Sequence, residues 1–186
     1  MRIIGGSRRG LKLAEVGEGD QAAHLRPTSD RVREAIFNLL INAHGNPVTG
    51  ARVLDLFAGT GALGLEALSR GASAVTFVDD GAKALALVRA NIAKLQAEGE
   101  TRVIRQDARK LGANAGAPFG LVFLDPPYGK GLGEVALAAA LRGGWLTPGA
   151  MVVWEEGAAL AVPQGFAMVD HRKYGDTVVT LLKAPA

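Results

Sequence analysis

The sequence predicts an α/β fold in which a mostly parallel sheet is covered by helices on both faces. Three observations carry this. From Arg52 to Glu155, short apolar runs alternate with segments whose apolar residues recur at helical spacing, as in a parallel sheet with crossover helices. The first of those runs leads into Gly59-Thr60-Gly61-Ala62-Leu63-Gly64, a Gly-rich turn that opens a helix. The last two runs have no helical pattern between them, so they close the chain as a β-hairpin.

The elements follow in order. Ile3-Ile4 and Leu11-Lys12-Leu13 flank the turn Gly5–Gly10, which reads as a short β-hairpin, and residues 15–25 read as a polar loop. A helix starts near Ser29 or Asp30, either of which can cap it. Val32, Ala35, Ile36, Leu39 and Leu40 share one face of it, and Gly45-Asn46-Pro47 ends it. Strands are expected at Val53–Phe57, Ala74–Val78, Arg102–Arg105, Leu121–Leu124 and Met151–Glu155. Helices are expected at Ala62–Ser69, Asp80–Ala97 and Glu134–Leu141, the second with Leu85, Val88, Ile92 and Leu95 on one face. The closing hairpin joins about Ala167–Arg172 to Thr177–Leu182. The chain divides into a hairpin and basic arm over residues 1–27 and a main domain over 28–186.

Bulk composition narrows the function. At 48% hydrophobic and 21% charged residues the chain can bury a core, and no run approaches the ~18 apolar residues of a membrane span. The absence of cysteine removes disulfides and thiol nucleophiles, so cytosine C5 methylation through a cysteine adduct is excluded and a cytoplasmic setting is expected. His24, His44 and His171 have no metal-ligand spacing, so no metal site is expected. The net charge of +3 is concentrated in residues 1–33, with seven Lys or Arg against four acids. A basic arm beside a neutral body suits an anionic partner such as nucleic acid.

Two motifs carry the chemistry. Gly59 and Gly61 permit a tight turn and close backbone approach, and the helix behind them favours an anion. Asp79 ends the second strand, where an acid can meet ribose hydroxyls. This much suits NAD and S-adenosylmethionine (SAM) equally. Asp55, four residues before Gly59, could lie near the ammonium of a methionine moiety but would repel a pyrophosphate. Asp107, after the third strand, could accept from an adenine amino group. Three acids at successive strand ends favour the cationic ligand.

Asp125-Pro126-Pro127-Tyr128 follows the apolar run Leu121–Leu124, at the mouth of the sheet where ligands of open α/β sheets gather. An exocyclic base amine is a poor nucleophile because its lone pair is delocalised into the ring. The Asp125 carboxylate and Pro126 carbonyl can each accept one N–H, aiming the lone pair at a methyl sulfonium and keeping the growing positive charge beside an anion. Two prolines stiffen the turn, and Tyr128 offers a stacking surface worth ~1–3 kcal/mol per base in comparable contacts.

With these residues the chain resembles class I SAM-dependent methyltransferases of the amino-methylating branch. Arg2–Gly6, Leu25–Asn38 and Leu54–Ala72 resemble the bacterial RsmD family over nearly the whole chain. The resemblance implies a Rossmann-like class I methyltransferase with a seven-stranded sheet and an N-terminal β-hairpin. It implies methyl transfer to a guanine N2 of 16S ribosomal RNA, with that RNA as partner, either naked or within an assembled or partly assembled small ribosomal subunit; a monomer is expected. Asp55, Phe57, Ala58, Gly59, Gly61, Asp79, Asp107 and Ala108 would hold SAM. Asp125–Tyr128 would hold the guanine, and Arg8, Arg9, Arg26, Thr28, Arg31 and Arg33 would face RNA. Alternatives are an amino-methyltransferase for DNA adenine or cytosine, a non-catalytic RNA-binding module, and a nicotinamide-dependent oxidoreductase. The last leaves Asp125–Tyr128 and the basic arm unexplained.

Overall fold

The computed structural model describes residues 1–15 and 28–186. The polar loop expected after Glu15, together with Arg26, lies outside the described residues. Helix α1 (Asp30–Ala43) is capped by Ser29, whose hydroxyl accepts from the Val32 N–H. There follow β1 (Arg52–Leu56), α2 (Ala62–Ser69), β2 (Ala74–Asp79), α3 (Ala82–Leu95), β3 (Thr101–Arg105), β4 (Phe119–Leu124), α4 (Leu132–Arg142), β5 (Leu146–Glu156), β6 (Ala167–Tyr174) and β7 (Thr177–Lys183).

The seven strands form one sheet in the order β3-β2-β1-β4-β5-β7-β6. Pairing is parallel from β3 to β5, and β7 runs antiparallel to both its neighbours. The order reverses between β1 and β4, so the crossovers on either side leave a crevice at the carboxyl ends of these two strands.

The alternation along each strand sorts two cores. Val53, Val75, Phe77, Leu121, Phe123 and Val153 face α1, α2 and α3. Leu54, Leu56, Val78, Val122, Leu124 and Trp154 face α4. Helix α2 is apolar nearly all round and every residue of it is buried, as befits a helix covered on both sides. Its cover is the N-terminal segment. Ile3 and Leu13 belong to the same core as α1 and α2. Residues 1–13 double back through backbone bonds such as Ile3 N–H to Leu11 O (2.9 Å), with a single antiparallel bridge, Arg2 to Lys12, in place of two paired strands.

A buried ion cluster fastens this segment. Glu66 on α2 is fully buried and accepts from the Ile4 and Gly5 N–H groups (2.9 Å each), from Arg70 Nε (2.8 Å) and from Arg33 Nε (3.4 Å). Arg33 also donates to Asp30 (2.8 Å), the Thr28 carbonyl (3.3 Å) and the Arg2 carbonyl. The expectation that Arg33 faces RNA is therefore corrected. Its guanidinium is wholly buried, and its donors are engaged by the protein.

Candidate active site

At the strand ends a cavity of about 650 Å³ opens. Its lining includes Asp55, Phe57, Ala58, Gly59, Asp79 and Asp125–Tyr128, so both sequence motifs share one space.

The cofactor end is built by the turn after β1. Phe57, just past β1, adopts a left-handed conformation (φ 59°), unusual for a bulky residue, and turns the backbone toward Gly59 (φ 57°). Gly64 lets α2 lie against the sheet. A Cβ there would stand 2.5 Å from Phe77 and 2.7 Å from Val75. Its N–H donates to Asp55 (3.0 Å), which fixes that carboxylate at the end of β1. Burial raises the Asp55 carboxyl well above the usual range against that hydrogen bond, and the Asp125 and Asp79 charges add to the rise.

Asp79 accepts from Gly59 N–H (3.0 Å) through one oxygen and from Gly81 N–H (2.9 Å) through the other. A carboxylate has about four acceptor sites, so it keeps capacity for hydroxyls from the cavity. Burial raises its pKa despite both N–H bonds.

Asp107, Ala108 and Gly61 are not part of the cavity lining. Both Asp107 oxygens are taken by the Arg109 guanidinium, which holds the carboxyl below its usual range, and Ala108 is buried in the second core with α4. Gly61 serves the turn instead, as the left-handed N-cap of α2 (φ 77°).

The substrate end is held from behind. Glu156 accepts from Gly129 N–H (3.0 Å), tying the loop after Tyr128 to β5. The Tyr128 hydroxyl meets Thr177 Oγ1 at 3.2 Å, so the first residue of β7 positions the ring. Burial pushes the Tyr128 phenol up to about 12 against that hydrogen bond, and the nearby carboxylates add to it, so the ring is neutral at any working pH.

Sequence reasoning missed Glu155. This carboxylate is buried at the end of β5 and accepts from the Thr28 hydroxyl at 3.0 Å. The same hydroxyl lies 3.4 Å from Asp125 Oδ2. Thr28, expected at RNA, thus lies at the meeting point of two acids. Burial pushes the Glu155 carboxyl up to about 7 against the Thr28 bond. Asp55 raises it further, and Arg33 opposes the rise. Burial likewise puts Asp125 well above the usual carboxylate range, with the Glu155 charge reinforcing it and Thr28 opposing. The available signal was an acid closing an apolar strand, the same rule that found Asp55, Asp79 and Asp125.

Arg9 and Arg31 are exposed, whereas Arg8 donates to Glu100 (2.9 Å) and to the Leu95 carbonyl (3.1 Å). Lys83 and Lys130 line the cavity and were not singled out from sequence.

Residues 1–183 match the family model described as conserved hypothetical protein 95. The chain is 38% identical over 190 residues to ribosomal RNA small subunit methyltransferase D of Escherichia coli K12, covering 100% of this chain and 91% of that protein. The Haemophilus influenzae protein of the same name is 36% identical over 182 residues, covering 94% and 89%. The solved structure of yhhF from Escherichia coli aligns with a TM-score of 0.83 at 36% identity, covering 100% of this chain and 98% of that one.

Proposed function

The chain belongs to the conserved hypothetical protein 95 family, the RsmD family, and on that premise we propose that it transfers a methyl group from SAM to the N2 amine of a guanine in small-subunit ribosomal RNA. It is a SAM-dependent methyltransferase with the Rossmann-like class I fold. The observation that carries the reading is the shared cavity. Asp79 and the Gly59 turn stand on one side and Asp125-Pro126 on the other, so a methyl donor and a planar amine can meet in it.

SAM supplies an electrophilic methyl on sulfur. Asp79 and the backbone at Gly59 would hold its ribose and amino-acid portions, and Asp55 would attract its ammonium. The Asp125 carboxylate and the Pro126 carbonyl would accept the amine hydrogens and hold the lone pair in line. Guanine presents N1–H beside N2–H, so one carboxylate can accept from both. Adenine presents a lone pair there, which the carboxylate disfavours. A base paired in a helix hides this edge, so the guanine is read unpaired or extruded. Exposed Arg9 and Arg31 would meet phosphates.

The test is nucleoside analysis of small-subunit RNA, naked and as particles, after incubation with labelled SAM. N2-methylguanosine is expected. N6-methyladenosine or N4-methylcytidine in its place overturns the assignment.

A further inference from the structure

Methylation leaves a proton to dispose of. When the amine lone pair forms the new N–C bond, the S–C bond breaks and its electron pair stays on sulfur. The nitrogen then carries a positive charge until it gives up a hydrogen. Asp125 can take that hydrogen, but it lies deep among acids and must be cleared.

The hydroxyl of Thr28 stands between Asp125 and Glu155. A hydroxyl has one hydrogen and two lone pairs. The shorter separation, 3.0 Å to Glu155 Oε1, marks where Thr28 donates. One hydrogen cannot serve both acids, so while Thr28 donates to Glu155 the 3.4 Å approach to Asp125 Oδ2 is short of a hydrogen. A proton arriving on Asp125 supplies the missing hydrogen.

Resting on the proposed amine methylation, we propose that Thr28 and Glu155 form the route by which the amine proton leaves Asp125. The hydrogen moves from N2 to Asp125. Asp125 O–H then donates to Thr28 Oγ1, as the Thr28 hydrogen passes to Glu155. Charge balances: the cationic nitrogen becomes neutral and Glu155 becomes a carboxylic acid. Asp125 is again a carboxylate, and Thr28 is again a hydroxyl. Glu155 is a positioning and proton-holding residue that does not touch substrate. The groups facing this pair are Asp125 and Tyr128 after β4, Asp55 on β1, Arg33 on α1 and neighbouring Glu156.

The experiment has two readouts. The first is the single-turnover methylation rate with saturating SAM and RNA between about pH 5.5 and 8.5. Wild type should rise with pH, because Glu155 must be ionised to accept. Glu155→Gln should lose that rising limb and fall at least about tenfold at the alkaline end. Thr28→Val should behave likewise, and Thr28→Ser should restore both rate and limb. A purely structural Glu155 would lower the rate at every pH and leave the midpoint in place, and that result overturns the proposal. So does a wild-type rate that is flat with pH.

The second readout uses protein without SAM. The infrared difference spectrum of wild type minus Glu155→Gln should contain a carboxylic-acid carbonyl band that vanishes as pH rises through about 7. Its absence overturns the route. Wild-type protein that methylates no RNA refutes the proposed function instead, and the infrared titration still decides the proton site.

Discussion

Replacing Glu66 by alanine tests how the N-terminal segment is held. Four donors converge on this one buried carboxylate: the Ile4 and Gly5 N–H groups, Arg70 and Arg33. Alanine strands two backbone N–H groups, at ~1–3 kcal/mol each where water cannot reach. It also leaves the buried Arg33 guanidinium unpaired on that side, and breaking one partner out of a buried pair costs about 3–5 kcal/mol. The contributions overlap, because a water entering the vacated space would serve several donors and Arg33 keeps Asp30. We expect a loss of ~3–5 kcal/mol, a large part of the ~5–15 kcal/mol available to a typical domain. At about 2–4 °C per kcal/mol this lowers Tm by roughly 6–20 °C. Urea unfolding followed by circular dichroism, with thermal melts alongside, measures it. Arg70→Ala, which removes a partly exposed partner, should cost ~1–2 kcal/mol. A Glu66→Ala loss below ~1 kcal/mol would refute the reasoning, since it would mean the donors are satisfied elsewhere.

Further expectations concern the site. Asp79→Ala should weaken SAM at least about tenfold by calorimetry, from the loss of charge-assisted hydrogen bonds; unchanged affinity removes Asp79 from the cofactor site. Asp125→Ala should nearly abolish transfer with SAM affinity roughly unchanged, and a mutant retaining most of the wild-type kcat sinks its orienting role. Arg9→Ala should flatten the salt dependence of RNA binding by about one unit of slope, whereas Arg8→Ala should chiefly cost stability by releasing Glu100 and the Leu95 carbonyl. Because the Glu155 carboxyl is raised to about 7 in the fold, its favourable contribution is complete below about 4.5 and is lost as pH rises to about 7. Glu155→Gln should flatten that part of the stability curve in chemical denaturation, and an identical pH slope would count against it.

The sheet was legible because its code is short-range. Apolar runs, a helical period and the Gly-rich turn placed β1–β7 and α1–α4 to within a few residues, and β5 alone begins clearly earlier than its apolar run. The cofactor and substrate motifs were legible because both sit where parallel strands end. What escaped depends on neighbours distant in sequence. Arg33 looks like one more cation in a basic segment, and only the packing of α1 on α2 shows that it is interior. Thr28 looks like part of an RNA-facing stretch until β4 and β5 bring Asp125 and Glu155 to it. Nothing in the sequence links Thr177 to Tyr128, and their hydroxyls meet only once the chain is folded. Asp107 obeyed the strand-end rule, yet a neighbouring arginine claimed its carboxylate.

The strand order has a consequence for how the chain is made. Strand β7 follows β6 along the chain, yet it is not at the margin of the sheet but between β5 and β6. Until it leaves the ribosome, β6 has no neighbour to pair with, because β7 is its partner along the whole strand. A premature stop that removes Thr177–Lys183 therefore deletes two strands, not one. It also strips the hydroxyl that steadies Tyr128. A nascent chain that has not yet reached Thr177–Lys183 therefore leaves the catalytic end incomplete and exposes the unpaired edge of β5.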